Sequence, residues 1–558
     1  MLNSQPNPVP SSGVGAGPRA CPGRASVPPP STRKGRWRGP GQARRPAPTG
    51  SQRAGRLSLL VVLLTALPAS LLAETDLEPI RDWRTANGAR ILADYAELLS
   101  IPNVASDTEN IRKNAEMIAA ELAERGVASE VWEVEGAPPV VYGEALVPGA
   151  ATTLGVYVHY DGQPVDLSKW THPPWEPTLY TRSMEDGGEP RPFPEPGEEI
   201  DPEWRIYARA AGDDKAPIAA ILGALDALEA TGIARTTNLK FFFEGEEEAG
   251  SDHLGEYMEK YRDRLDVDLW LICDGPVHQS RRPQLVFGVR GYTGFDITVY
   301  GSTRYLHSGH YGNWAPNPAM LLAQLLGSMK DADGDVTIAG FYDSTAPVGP
   351  AEREALAALP DYDDELRREL ALAATEGGNA PLAERLLQPS LNVRGFVSGA
   401  VGAEARNVIP PEATASIDIR LVKGNDPVEM IELVEKHVEG RGYKIVREDP
   451  DRGTRLAHPR IAKIVRNPGY VAARTAMDPP LVRRLITAAR HASGGDLVLM
   501  PTLGGSLPLY LFNDVLERPV VIVPIANHDD NQHAPDENLR LANLWYGIDL
   551  MASVFTME

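Results

Sequence analysis

The chain has 558 residues, with 55 Lys and Arg against 76 Asp and Glu, for a formal charge of −21. That length accommodates roughly two to four domains, and 23% charged with 7% aromatic residues describe a globular chain, not a disordered or collagenous one. The acidic balance speaks against nucleic acid and anionic membrane as partners. Two cysteines, neither in a Cys-x-x-Cys motif, exclude a disulfide framework and a cysteine-held zinc.

The charge is uneven. Residues 1–73 carry ten Lys/Arg and no acid; removing those ten leaves 45 Lys/Arg against 76 Asp/Glu, or −31, in the remainder. Residues 1–50, rich in Pro, Gly, Arg and Ser without an apolar period, read as a disordered basic leader. Arg53, Arg56 and the apolar run Leu57–Leu72 then read as a signal peptide with a cut after Ala73. An uncleaved membrane anchor is the rival, although the run is shorter than the ~20 residues a spanning helix needs. A translation start nearer Gln52 would account for the long basic tract. On this reading the chain is exported, periplasmic or secreted, or else anchored by its N-terminal apolar segment.

From about 80 to 285 helical and strand-like segments alternate, the pattern of an α/β sheet with crossover helices. Residues 88–125 have helical periodicity, Leu154–Val158 is a short apolar run, and a Pro- and Trp-rich loop with Trp170 and Trp175 spans 162–203. An apolar-faced helix follows at Ile218–Leu228, then strand-like runs at Leu239–Phe243 and Leu269–Ile272. Residues 291–304 alternate as a strand, Ala319–Met329 reads as a helix, 343–390 as acidic and helical, and Ala413–Val422 as another strand. The α/β pattern resumes with helix Pro480–Ala492, strand Val520–Val523 and helix Leu541–Val554.

Four of the apolar runs end in residues able to ligate a metal. Leu154–Val158 is followed by His159-Tyr-Asp161, Leu239–Phe243 by Glu244-Gly-Glu-Glu247-Glu248, Leu269–Cys273 by Asp274, and Val520–Pro524 by His528 and His533. Asp213-Asp214 stands just before the helix at Ile218. Taken singly, each has an ordinary reading: a core histidine, a solvated helix start, an N-cap pair, a turn. Their recurrence at successive strand ends does not, because ligands of open parallel sheets bind beyond the carboxyl ends of the strands. Two His and several carboxylates form a mixed N/O set that suits Zn²⁺, with Mn²⁺ as the alternative.

These residues stand in the order of one family. His159-Tyr-Asp161-Gly-Gln163-Pro, Gly212-Asp213-Asp214-Lys215, Glu244-Gly-Glu-Glu247-Glu248-Ala-Gly-Ser, Cys273-Asp274-Gly and Gln532-His533-Ala-Pro-Asp-Glu537-Asn resemble the motifs of the di-zinc metallopeptidase family 20, which holds carnosinase-type dipeptidases, aminoacylases and glutamate carboxypeptidases. The resemblance runs over about 80–558. Ala208-Arg-Ala210 stands where the family has Gly-Arg-Gly, and Ala216 where it has Gly; neither is a ligand position. The resemblance implies one cation on His159, Asp213 and Asp274, and a second on Asp213, Glu248 and His533, with Asp213 bridging. It implies Glu247 as general base, Asp161 as the carboxylate that orients His159, and a cis Asp213–Asp214 peptide.

The 259 residues between Asp274 and His533 call for an inserted domain. The expected fold is therefore α/β: a mostly parallel catalytic sheet in two parts, 74–286 and 466–558, with an α+β lid and dimerisation domain at 287–465. In the family the lid dimerises, so a homodimer is implied, with His307 of Leu306-His307-Ser-Gly reaching the neighbouring site. Asn407 and Arg420 in the lid, with Gly505 and Ser506 in the catalytic part, match positions that hold substrate, an arginine being suited to a carboxylate. Asp274, where other branches carry Glu, points to the dipeptidase branch. The implied activity is hydrolysis of dipeptides or short peptides. An N-acyl-amino-acid amidohydrolase, a carboxypeptidase of the same family, and a catalytically silent dimeric binding protein are the alternatives.

Overall fold

The computed structural model describes residues 75–505 and 507–557. The leader, the signal peptide reading and Ser506 lie outside the described residues. An eight-stranded mixed sheet runs in the order Ala128–Trp132, Val140–Ala145, Asn238–Glu244, Thr153–His159, Leu269–Ile272, Val520–Ile522, Gln284–Val286, Val498–Met500. Four pairings are parallel, three of them contiguous in the middle, and three are antiparallel, so the sheet is mixed and its parallel part is central. The central strands are apolar along nearly their whole length because helices cover both faces. At Gly155 the sheet admits no side chain: an added Cβ would lie 2.4 Å from the Trp270 ring.

Helix Lys215–Thr231 is buried along thirteen positions and packs between Glu78–Leu99 and Leu541–Phe555. Ala, Gly and Ile allow this close layer; a Cβ on Gly547 would come within 2.9 Å of Ala220. The helix stops at Gly232, which takes the left-handed conformation at φ 70°. Its buried start fixes Asp213 and Asp214 at the level of the strand ends. The helical periodicity of 88–125 is broken: helices Glu78–Leu99 and Thr108–Glu124 are separated by a loop around Pro102, and Asp107 caps the second by accepting from the Asn110 amide at 3.2 Å.

A second, five-stranded sheet orders Ser390–Val397, Glu412–Leu421, Gly291–Tyr300, Ile461–Tyr470 and Lys444–Val446. Helices Pro318–Leu326 and Pro427–Gly440 cover one face, and Phe295, Ile297, Leu322, Ile417 and Val434 share a core separate from that of the large sheet. The acidic stretch 343–390 is helical only in short pieces, Pro350–Ala357, Asp363–Glu369 and Leu382–Arg385, before strand Ser390–Val397.

The expectation of an exported or membrane-anchored chain is corrected. It rested on the apolar run 57–72, which lies outside the described residues. Among the described residues no helix is long and apolar enough to cross a membrane. The 22-residue helix Glu78–Leu99 has the length but carries Arg81, Asp82, Arg84, Arg90, Asp94 and Glu97.

Candidate metal centre

The central strands deliver their polar termini to one place. His159 ends strand Thr153–His159 opposite Glu244, Asp274 follows Leu269–Ile272, and Glu247 and Glu248 form a single helical turn after Glu244. Donor atoms of His159, Asp214 and Asp274 lie within 4.8 Å of one another, as do those of Asp213, Glu248 and His533. Asp213 links the two groups: Oδ1 is 3.0 Å from His159 Nε2 and Oδ2 is 3.1 Å from His533 Nε2. Glu248 Oε2 is 3.1 Å from the same His533 nitrogen. The first group is wholly buried, whereas the His533 side chain is 52% exposed. The Asp213–Asp214 peptide is cis.

Burial and charge set the protonation here. Burial pushes Asp274 up to about 7, with Asp213 and Glu248 adding to the rise against His159. Asp214 rises for the same first reason. Burial would raise Asp213 too, but hydrogen bonds from His159 and His533 outweigh it and hold its carboxyl below the usual range. Hydrogen bonds to Asp213 and Glu248 lift His533 to about 10. Burial works against a charged His159, yet Asp161 and Asp213 draw it well above its ordinary value. Crowded carboxylates thus pull positive charge onto both imidazoles, and the same field favours divalent cations. Nitrogen and carboxylate donors at this spacing fit a pair of such ions.

Asp161 does more than face His159. Its Oδ1 is 3.4 Å from His159 Nδ1, and its two oxygens accept the Glu247 and Glu248 amides at 3.0 Å each. One buried carboxylate therefore fixes both the histidine and the turn that carries Glu247. Burial, then Asp274, Glu244 and Glu248, push the Glu247 carboxyl well up against the opposing His159.

Three further groups hold this arrangement and carried no assigned role in the sequence. Glu537 accepts from Arg209 Nη1 at 2.6 Å and from the amides of Ala210, Gly212 and Asp213 at 2.9 Å each. Ala210, at the position where Gly is usual, sits at φ 62°, a conformation that costs an L-residue about 1–2 kcal/mol. The Glu537 bond to its amide offsets part of that cost. Gln532 Nε2 donates to Asp213 Oδ2 and Gln163 Nε2 to Glu248 Oε2, both at 2.8 Å. His533 itself sits at φ 61° between Asn531 and Asp536, also left-handed. Gln163, Gln532 and Glu537 all stand inside recognisable motifs, which was the signal available for them.

The remaining expected residues lie in or against the lid. His307 accepts the Gly309 amide at Nδ1 and its ring centre is 4.6 Å from that of His310. Asn407 is exposed and its carbonyl accepts the Ser308 amide. Arg420 lies over Tyr292 at 5.5 Å and near Asp418 at 3.6 Å. The Gly505 carbonyl accepts the Arg290 amide at 3.3 Å. None of these four belongs to either donor group. Trp170 stacks 5.0 Å from Arg209, and Thr171 bonds Asp536, so the 162–203 loop abuts the segment bearing His533.

Comparison with known proteins identifies the family. The profile of peptidase family M20/M25/M40 matches residues 155–556. The Cys-Gly metallodipeptidase DUG1 of Saccharomyces cerevisiae is 28% identical over 431 residues, 75% of this chain and 81% of that protein. The human Beta-Ala-His dipeptidase is 28% identical over 435 residues, 75% and 77% of the two chains. Among solved structures, an M20 family metallo-carboxypeptidase from Sulfolobus solfataricus superposes with a TM-score of 0.64 at 28% identity, covering 84% of this chain and 98% of that one. The chain belongs to peptidase family M20/M25/M40 and is a metallopeptidase.

Proposed function

We propose that this metallopeptidase hydrolyses dipeptides with a free C-terminal carboxylate, using Glu247 as general base beside two divalent cations. The observation that carries the reading is Glu247 held by Asp161 beside two histidine–carboxylate donor groups, with Asp213 of the second bonded to the histidine of each. His159, Asp274 and Asp213, with Asp214 alongside, would hold one cation; Asp213, Glu248 and His533 would hold the other. Bound there, the cations supply polarisation of the scissile carbonyl and acidification of the attacking water. Glu247 takes the water's proton and hands it to the leaving amine. Asp161 orients His159 and the Glu247 turn at once. Zinc is the expected ion, manganese the alternative, since both accept this N/O set.

Arg420 takes the substrate carboxylate, assisted by Gly505 and Ser506. The lid, taken as 287–465, pairs two copies into a homodimer and brings His307 and Asn407 to the neighbouring site. Support for pairing is the edge strand Ser390–Val397, where Val393, Phe396 and Val397 are exposed, and Trp314, which is 80% exposed. Dipeptide preference rests on the two dipeptidase relatives. The carboxypeptidase neighbour at 28% identity favours a second reading, removal of one C-terminal residue from longer peptides. A panel of dipeptides, tripeptides and N-acetyl amino acids, assayed with Zn²⁺ and with Mn²⁺, tests this. Dipeptides are expected to be cleaved fastest; release of acetate with dipeptides untouched would overturn the reading.

A further inference from the structure

Among the described residues no hydrogen bond reaches the Glu247 carboxylate, so its aim is set by the turn that carries it. Asp161 holds that turn from the front, through the amides of Glu247 and Glu248. It is also closed from behind, by two residues that belong to neither donor group. Glu246 Oε1 accepts the His253 amide at 2.7 Å, and His253 Nδ1 stands 3.1 Å from Oε1 and 3.0 Å from Oε2. Glu246 is buried, and the His253 side chain is one-third exposed at 33%.

This clasp makes a closed ring of residues 246–253. Inside it the Glu246 carbonyl accepts the Ala249 and Ser251 amides at 3.1 and 3.0 Å, and the Glu247 carbonyl accepts the Gly250 amide at 2.8 Å. Ser251 sits at φ 54°, a conformation that a residue with a side chain keeps only where its surroundings impose it. His253 precedes helix Leu254–Lys260, whose Leu254, Tyr257 and Met258 are buried in a core on one face of the large sheet. The Tyr257 hydroxyl accepts the Val134 amide at 3.0 Å, so the clasp ties the turn to an anchored element. Both Glu246 oxygens face Nδ1, so that nitrogen carries a proton. The neutral and the charged ring can each do so; what the clasp needs is a donor at Nδ1. A buried carboxylate deprived of its donors is costly, which keeps the clasp shut.

We propose that the Glu246–His253 clasp aims the Glu247 carboxylate through the turn it closes, with His253 as a positioning residue, a role that rests on Glu247 acting as general base. A displacement of about 1 Å at a reacting group costs about 10²-fold in rate. Glu248 lies on the same turn, but its carboxylate is separately held by Gln163 at 2.8 Å and lies 3.1 Å from His533. Opening the clasp therefore disturbs the base more than the metal.

The test is kcat, KM and metal content of variants of the full-length, metal-loaded enzyme, with folded protein isolated by gel filtration. His253→Ala should lower kcat by about tenfold or more, with KM unchanged and two cations per chain. His253→Asn, whose Nδ2 can stand where Nδ1 does, should restore kcat to within a few-fold. Glu246→Ala should match His253→Ala, and the double variant should be no worse than either alone, as one shared interaction requires. A merely structural role would lower the yield of folded protein, leave kcat per folded chain unmoved and gain nothing from asparagine. Should His253→Ala not fold, His253→Gln, whose donor lies one bond too far out, takes its place with the same outcomes. Unchanged kcat in His253→Ala, an equal fall in His253→Asn, additive losses in the double variant, or metal lost in step with kcat would overturn the proposal. Glu247→Gln run alongside keeps the two readings apart. Full activity there removes the base itself, whereas an inactive Glu247→Gln beside a fully active His253→Ala removes only the clasp.

Discussion

The strand ends of the large sheet and the surface of the lid treat acidic residues in opposite ways. At the sheet ends, carboxylates are buried among one another, and Asp274, Glu244 and Asp530 are pushed up to about 7, 8 and 8, burial being the largest cause in each. In the lid, Glu435 is clamped by Arg447 and Arg466 at 2.7–2.9 Å and, against its partial burial, falls to about 2. One region stores unfavourable charge that only protons or cations relieve; the other neutralises its charge as it folds. Buried carboxylates without matched cations are costly, so their accumulation at one edge of a stable sheet marks the place where chemistry is done.

The contrast can be broken most severely by removing metal. Chelation should abolish hydrolysis, with recovery on adding back Zn²⁺ or Mn²⁺; loss of activity should track metal content measured by elemental analysis. Next in size, the two histidines should separate. His159→Ala strips a buried partner from Asp213 and Asp161 and should cost about 3–5 kcal/mol of stability, read by chemical denaturation. His533→Ala, on the half-exposed loop, should lower metal content to one per chain with stability nearly unchanged.

Smaller effects follow from pH. Glu244 accepts from the Tyr157 hydroxyl through Oε2, while Oε1 has no hydrogen-bond partner among the described residues, and its folded pKa of about 8 lies above the ordinary carboxylate value. A raised carboxyl pKa means the folded state holds a proton the unfolded state releases, so stability falls as pH rises from about 4.5 to 8. Glu244→Gln should flatten that slope in melts taken across the window. Glu435 has the reverse sign: its depressed pKa adds stability above about pH 4.5 that is lost as pH falls toward 2. Glu435→Gln should therefore destabilise at pH 7 and make little difference near pH 2.

Much of the site was legible because its parts are local. A buried parallel strand must be apolar throughout, so His159, Glu244 and Asp274 stand out as the first polar residues after each run. The fold class followed from the same alternation, and the lid from the long gap before His533. What escaped was set by contacts distant in sequence. Glu537 braces the Asp213 loop from 324 residues away, and although each stands in a motif, neither motif signals the pairing. Asp214, readable as a cap, instead turns toward His159 and Asp274. The chain between Ser100 and Asp107, around Pro102, divides what reads as a continuous helical stretch.

The central claim, that Glu247 moves the proton at a centre whose cations are held by other side chains, is tested most directly by Glu247→Gln with hydrolysis and metal content measured on the same sample. The account predicts two cations per chain and a fall in kcat of about 10²–10⁴-fold. Hydrolysis within a few-fold of the unsubstituted enzyme, with both cations retained, would contradict it.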